Sequence, residues 1–260
     1  MKEIHVLLLN TIALIIVLIF NSLGGSGSLS EYSVGDISNF YPTLITPASY
    51  AFGIWGVIYL LLALFIGFQW YSYFRRPVKN LIFDSFPWFP LSCFFNLLWI
   101  LLWVNNFVFY STIVIFLLLF CLIRLVLKYR LEVWDAPLKI IFFVWWPICI
   151  YFAWIILASV INVTVYLKSM EAELYLSETA WLFVMLSVST LIYLLLIIKR
   201  NMREAAIVGA WGIFAVYINV IDSHPHIAKF ILAFPLLLII AASIHAFKNR
   251  KTLPFLRKVF

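Results

Sequence analysis

Thr46-Pro47-Ala48-Ser49-Tyr50-Ala51-Phe52-Gly53-Ile54-Trp55-Gly56-Val57-Ile58-Tyr59 opens an apolar run that continues to position 74. A turn-type Thr-Pro leads in, and Pro47 suits a first helical turn, where its missing N–H costs nothing. Trp55 and Tyr59 stand four residues apart, which puts both rings on one helix face. About 20 apolar residues at 1.5 Å each cross a bilayer, and this run is long enough. The stretch therefore predicts a transmembrane helix carrying an aromatic stripe.

Working outward, the rest of the chain is built the same way. Apolar residues make up 65% of it and charged residues 11%, with a mean hydropathy of +1.07. Water-soluble domains carry about 45–50% apolar and 25% charged residues, so this chain could not cover its surface in water. Seven further runs of spanning length fall at about 4–23, 88–106, 108–128, 140–163, 179–198, 205–221 and 227–247. The fold class is an all-α polytopic membrane bundle of about eight helices. The first run follows Lys2 as a signal peptide would, but it is long for one and Asn21-Ser22-Leu23-Gly24-Gly25-Ser26 lacks an Ala-x-Ala cleavage pattern, so it is read as a retained helix. Cys93, Cys121 and Cys149 are isolated within apolar runs and read as buried thiols.

Charge supports the count. With the N-terminus inside, the inner segments hold Lys2, Arg75, Arg76, Lys79, Arg124, Lys128, Arg130, Lys139, Lys199, Arg200, Arg203 and the tail's Lys248, Arg250, Lys251, Arg257 and Lys258. Only Lys168 and Lys229 fall outside. That asymmetry predicts a multi-pass cell-membrane protein with both termini cytoplasmic. The net charge of +7 is then topology, with anionic lipid a partner for the tail, and is no sign of nucleic acid. Residues 24–45 form one long outer loop ahead of Pro47, of the kind that serves as a lid or binding loop. The outer loop at 168–178 is acidic, with Glu171, Glu173 and Glu178, as solvation alone would explain.

Polar residues inside the spans fall into stripes. Trp154, Ala158 and Asn162 recur every four residues in the fifth span, and Trp211, Ala215 and Asn219 do the same in the seventh. Asn96, Trp99 and Trp103 share a face of the third. An asparagine amide in hydrocarbon needs partners, so these faces should meet protein or a polar cavity. Two alternatives stay open. Each stripe is a packing seam, with Asn as hydrogen-bond glue; or the stripes converge. Trp55, Trp99, Ala158 and Asn162 lie roughly 6–15 Å below the outer boundary, where an aromatic pocket would suit a flat apolar ligand. The Trp211 stripe has no ligand to claim it and is assigned to packing. Ordinary catalytic chemistry is not evident: no Asp, Glu, Lys or His falls at mid-span, which argues against a proton relay. Gly-rich phosphate loops and paired carboxylates are also missing. His224 and His226, in an outer turn, could hold a metal or haem iron or simply be solvated; no metal site is assigned.

The first five spans resemble the TspO/MBR (tryptophan-rich sensory, or translocator) family over about 1–167. The similarity rests on Pro47…Phe52…Trp55…Tyr59, on Phe95-Asn96-Leu97-Leu98-Trp99, and on the fifth span from Pro147 through Trp154 and Ala158 to Asn162. The resemblance implies a five-helix bundle that binds a tetrapyrrole, protoporphyrin IX or haem, under a closing first loop, with no cofactor required. By the same resemblance Trp55, Asn96, Trp99, Trp154 and Ala158 line the pocket, Tyr59 and Asn162 support it, and Trp103 continues the Trp99 face. Departures are Ala48 in place of a second proline, Ile148 in place of an aromatic, and the extension 168–260, whose three helices could cover surfaces that short members use to dimerise. A homodimer stays open. So do three roles: sensor or receptor for the ligand, transporter of a hydrophobic metabolite, and ligand-free scaffold. An enzyme is the least supported; light-dependent porphyrin breakdown would involve Trp55 and Trp154.

Overall fold

The computed structural model describes residues 2–75, 80–170 and 176–249, which are helical without any strand. In order they form α1 (Glu3–Gly25), α2 (Val34–Phe40), a 3-10 turn (Ser49–Gly53) and α3 (Ile54–Arg75), then α4 (Leu81–Ser85), α5 (Trp88–Val104) and α6 (Val108–Lys128). They continue with α7 (Leu138–Ile140), a π turn (Ile141–Trp145) and α8 (Trp146–Ser169). The last are α9 (Glu178–Arg200), α10 (Arg203–Val220), α11 (Pro225–Ile231) and α12 (Ala233–Lys248). Eight stretches among these are long and apolar enough to cross a membrane, as the hydropathy pattern predicts. Arg76, Lys79, Glu171, Glu173, Arg250, Lys251, Arg257 and Lys258 lie outside the described residues.

Three local features differ from expectation. The loop at 24–45 carries a helix, α2, closed by a capping box: the Asp36 N–H donates to Ser33 Oγ and the Ser33 N–H donates to the Asp36 carboxylate. Pro47 is not in a helical turn. Ala48 caps the 3-10 turn in extended geometry because its N–H donates 2.9 Å to the Ala215 carbonyl of α10. The fifth span begins at Leu138 and passes through the π turn, where the Trp146 N–H reaches back five residues to the Ile141 carbonyl. Pro147 accounts for that widening, since it has no N–H to give and its ring crowds the carbonyl four residues back.

The α7–α8 span is the most buried of the eight and packs against α3, α6, α9 and α10. Around it α1 lies on α3 and α5, and α5 on α6. Buried amides bind α1, α3 and α4 together. Asn10 of α1 donates to Gln69 Oε1 of α3 (2.9 Å) and to Ser85 Oγ of α4 (2.7 Å). Arg124 rests its guanidinium over the Trp88 ring at 5.0 Å.

The last three spans dock through close approach. Fully buried Tyr193 of α9 donates its hydroxyl to the Ala153 carbonyl of α8 (2.8 Å), while its ring lies on bare Gly209 of α10. Gly212 in turn admits Leu157 and Trp154 of α8. At the end of α9 Arg200 donates to the Val126 and Leu131 carbonyls, placing a cation where the α6 dipole ends. Asn201 donates to the Glu132 carbonyl beside it.

Two outcomes follow for stability. In Gly209→Ala the new Cβ would stand 2.3 Å from the Tyr193 ring, which has no room to retreat. The variant should lose about 1–3 kcal/mol in a reversible unfolding measurement in detergent. Gly56→Ala, which meets nothing within 4 Å, should change stability by less than about 1 kcal/mol. The Glu132 carboxyl, in the loop between α6 and α7, is pushed up to about 8 by burial and by the nearby Glu204, with Arg203 opposing. The native state thus holds this proton more tightly than the unfolded chain. Its stabilising contribution is complete below about 4.5 and is lost as pH rises through about 8. The thermal midpoint of the native chain should fall across that window, and the slope should flatten in Glu132→Gln.

Candidate functional site

On α3, Trp55 and Tyr59 stack at 5.4 Å between centroids, as their spacing predicts. The Trp55 ring also meets two rings of α8 edge-on, Tyr151 at 6.1 Å and Trp154 at 6.5 Å. Phe52, in the turn that feeds α3, approaches Trp154 from the same side at 6.3 Å. Five aromatic rings from α3, the turn before it and α8 thus form one cluster, with edge and face contacts that suit their quadrupoles. Tyr151 is held in place by a relay. Asn21 of α1 donates to Asn96 Oδ1 (2.7 Å), and Asn96 Nδ2 donates to the Tyr151 hydroxyl (2.9 Å).

Two polar atoms of this cluster, Trp154 Nε1 and Tyr59 Oη, are buried without a hydrogen-bond partner. Leaving such a group unpaired away from water costs about 1–3 kcal/mol. The indole N–H groups of Trp145 and Trp146 are unpartnered too. They lie at the π turn, at least eight residues and about 12 Å down the helix from Trp154.

Trp99, Trp103 and Asn162 form a different group. Trp99 Nε1 donates to Asn162 Oδ1 (2.8 Å), and Asn162 Nδ2 donates to Thr112 Oγ1 (2.7 Å) and Ser111 Oγ (3.2 Å) of α6. Trp99 stacks on Trp103 at 5.8 Å, and Trp103 Nε1 donates to the Val34 carbonyl of α2 (3.0 Å). Every polar side-chain atom of the trio is bonded within the protein, which is how a seam joining α5, α6, α8 and α2 should look. The eight residues singled out in the sequence therefore fall into two groups, with Asn96 at the border and half-buried Ala158 between Trp154 and Asn162. Helix geometry explains the split. Each four-residue step turns about 40°, so Trp154 and Asn162 point about 80° apart. Trp154 faces α3 and α10, whereas Asn162 faces α5 and α6.

The sequence reading passed over Tyr151, although its position three residues before Trp154 puts it on the same face. Asn21, Ser111 and Thr112 gave no such signal, because a lone polar residue in an apolar run does not name its partner. The stripe assigned to packing, Trp211, Ala215 and Asn219, meets residues 46–50 ahead of α3. His224 pairs with its neighbour Ser223, and no histidine lies on α3 or α8, so a haem iron would find no imidazole in the aromatic cluster. No group of three or more potential metal ligands occurs among the described residues.

A family model described as TSPO-like protein matches residues 7–244. The chain belongs to that family. The match runs from α1 into α12, so the family includes the last three spans as well as the five that carry the aromatic motifs. No curated protein and no solved structure matches the chain.

Asn162→Leu tests the seam. It leaves Trp99 Nε1 unpaired and removes the amide that Ser111 and Thr112 accept from, their hydroxyls keeping the Val108 carbonyl. The loss should be about 1–3 kcal/mol by reversible unfolding in detergent.

Proposed function

We propose that this TSPO-like protein is a membrane-embedded receptor or sensor for a flat hydrophobic ligand of the porphyrin type, taken up between α3 and α8 against Trp55, Tyr59, Tyr151 and Trp154. The observation that carries this reading is the pair of buried, unpartnered polar atoms, Trp154 Nε1 and Tyr59 Oη, on two rings that both contact the Trp55 ring. Indole and phenol faces suit a conjugated macrocycle, and the two free O–H and N–H groups suit carbonyl or carboxylate oxygens at its rim. A metal-free ring such as protoporphyrin IX fits this donor set better than haem. Trp99, Trp103 and Asn162 act as support, tying α2 and the outer loop down over the bundle. The basic residues Arg75, Arg124, Lys128, Lys199, Arg200 and Lys248 favour a cell-membrane orientation with both termini cytoplasmic.

Titration of the purified protein with protoporphyrin IX, followed by tryptophan fluorescence, tests the reading. Saturable quenching is expected. Trp55→Ala should weaken the affinity about tenfold, equivalent to ~1.4 kcal/mol, whereas Trp99→Phe should lower stability and leave affinity within about twofold. Quenching that never saturates, or that is indifferent to Trp55→Ala, would overturn the proposal and leave the ligand-free scaffold.

A further inference from the structure

We infer that Asn219 and Trp211 of α10 are positioning residues for the aromatic cluster, holding the segment that sets where Phe52 and Trp55 meet Trp154. This rests on the ligand reading proposed above.

The contacts form a ladder. Asn219 Nδ2 donates to the Thr46 carbonyl (3.1 Å), the Ala48 N–H donates to the Ala215 carbonyl (2.9 Å), and the Trp211 ring meets Tyr50 edge-on at 5.1 Å. Positions 219, 215 and 211 are one face of α10 read backward, while 46, 48 and 50 are alternate residues read forward. Over the first step the repeats match: four helical residues rise about 6 Å, and the two residues of extended, proline-bearing chain from Thr46 to Ala48 advance about 6.2 Å. After that Tyr50 lies in the 3-10 turn. Pro47 keeps its φ near the extended value, and Ala48 is extended at φ −56° and ψ 145°. The segment thus runs along α10 as a strap fastened at three successive turns.

The strap leads directly into the Ser49–Gly53 turn and α3. Phe52 and Trp55, the first two rings it delivers, are the ones that contact Trp154. The same helix borders Trp154, since a Cβ placed on Gly212, one residue past Trp211, would meet the Trp154 ring at 3.5 Å. Helix α10 therefore holds both sides of the Phe52–Trp55–Trp154 contact. Trp211 and Asn219 are themselves exposed, so removing them takes nothing from the core.

The test compares the native full-length protein with Asn219→Leu/Trp211→Ala, with the conservative pair Asn219→Gln/Trp211→Phe, and with Ile207→Ala, an exposed site elsewhere on α10. Protoporphyrin IX dissociation should quicken about tenfold in the first variant, within the usual range of coupling between sites. Association should stay within about twofold, and the conservative pair should restore the native rate. In ligand-free protein, amide exchange at Ala48 and along Phe52–Trp55 should speed up in the first variant alone, with the core amides of α9 and α10 unchanged. Native dissociation rates in that variant, with or without faster exchange, would overturn the positioning role. If the double variant does not give folded protein, Asn219→Leu is read by itself. Should the native chain bind no protoporphyrin IX, the ligand reading falls, and exchange at Phe52–Trp55 decides the strap: faster in the variant sustains it, equal rates overturn it.

Discussion

A hydrogen-bonding side chain inside a bilayer has only protein to bond to, and the arrangement of these helices follows from where each such group finds its partner. Asn10 joins α1 to α3 and α4, Asn96 joins α1 to α8 by way of α5, and Asn162 joins α8 to α5 and α6. Lipid tails are as apolar as leucine, so burial alone gives helices little reason to choose one neighbour over another. Amides spaced through otherwise apolar spans supply that choice. Some buried polar atoms stay unbonded, Asn10 Oδ1 and Gln69 Nε2 among them, and two of these, Trp154 Nε1 and Tyr59 Oη, fall together in the aromatic cluster between α3 and α8.

Helix α8 joins what the motifs would divide. One side carries Tyr151 and Trp154 toward α3, another carries Asn162 toward α5 and α6, and a third receives α9 and α10 through Tyr193, Gly209 and Gly212. Glycine matters on α10 because a methyl group at either position would occupy space already filled by the Tyr193 ring or the Leu157 side chain. The last three spans are therefore packed into the same core as the first five, in keeping with a TSPO-like match that runs through them. They also give the segment before α3 a fixed surface to lie on.

Much of this was legible in the chain. Eight spans follow from run length and hydropathy, because the thickness of hydrocarbon sets a length that the sequence must meet. The Trp55–Tyr59 stack follows from a four-residue spacing, since a helix brings such neighbours together wherever it lies. The need of Asn96 and Asn162 for protein partners was equally plain, as the cost of a bare amide does not depend on the fold.

Which partner each amide takes was not legible. Asn162 meets Thr112 across 50 positions, and Asn219 meets Thr46 across 173. A stripe of Trp, Ala and Asn reads the same in α8 and α10, yet one divides between a seam and an aromatic cluster and the other fastens a strap. Length, spacing and polarity are properties of a single helix, and the sequence determines them alone. The direction each stripe faces depends on how neighbouring helices pack around it, and only the tertiary structure decides that.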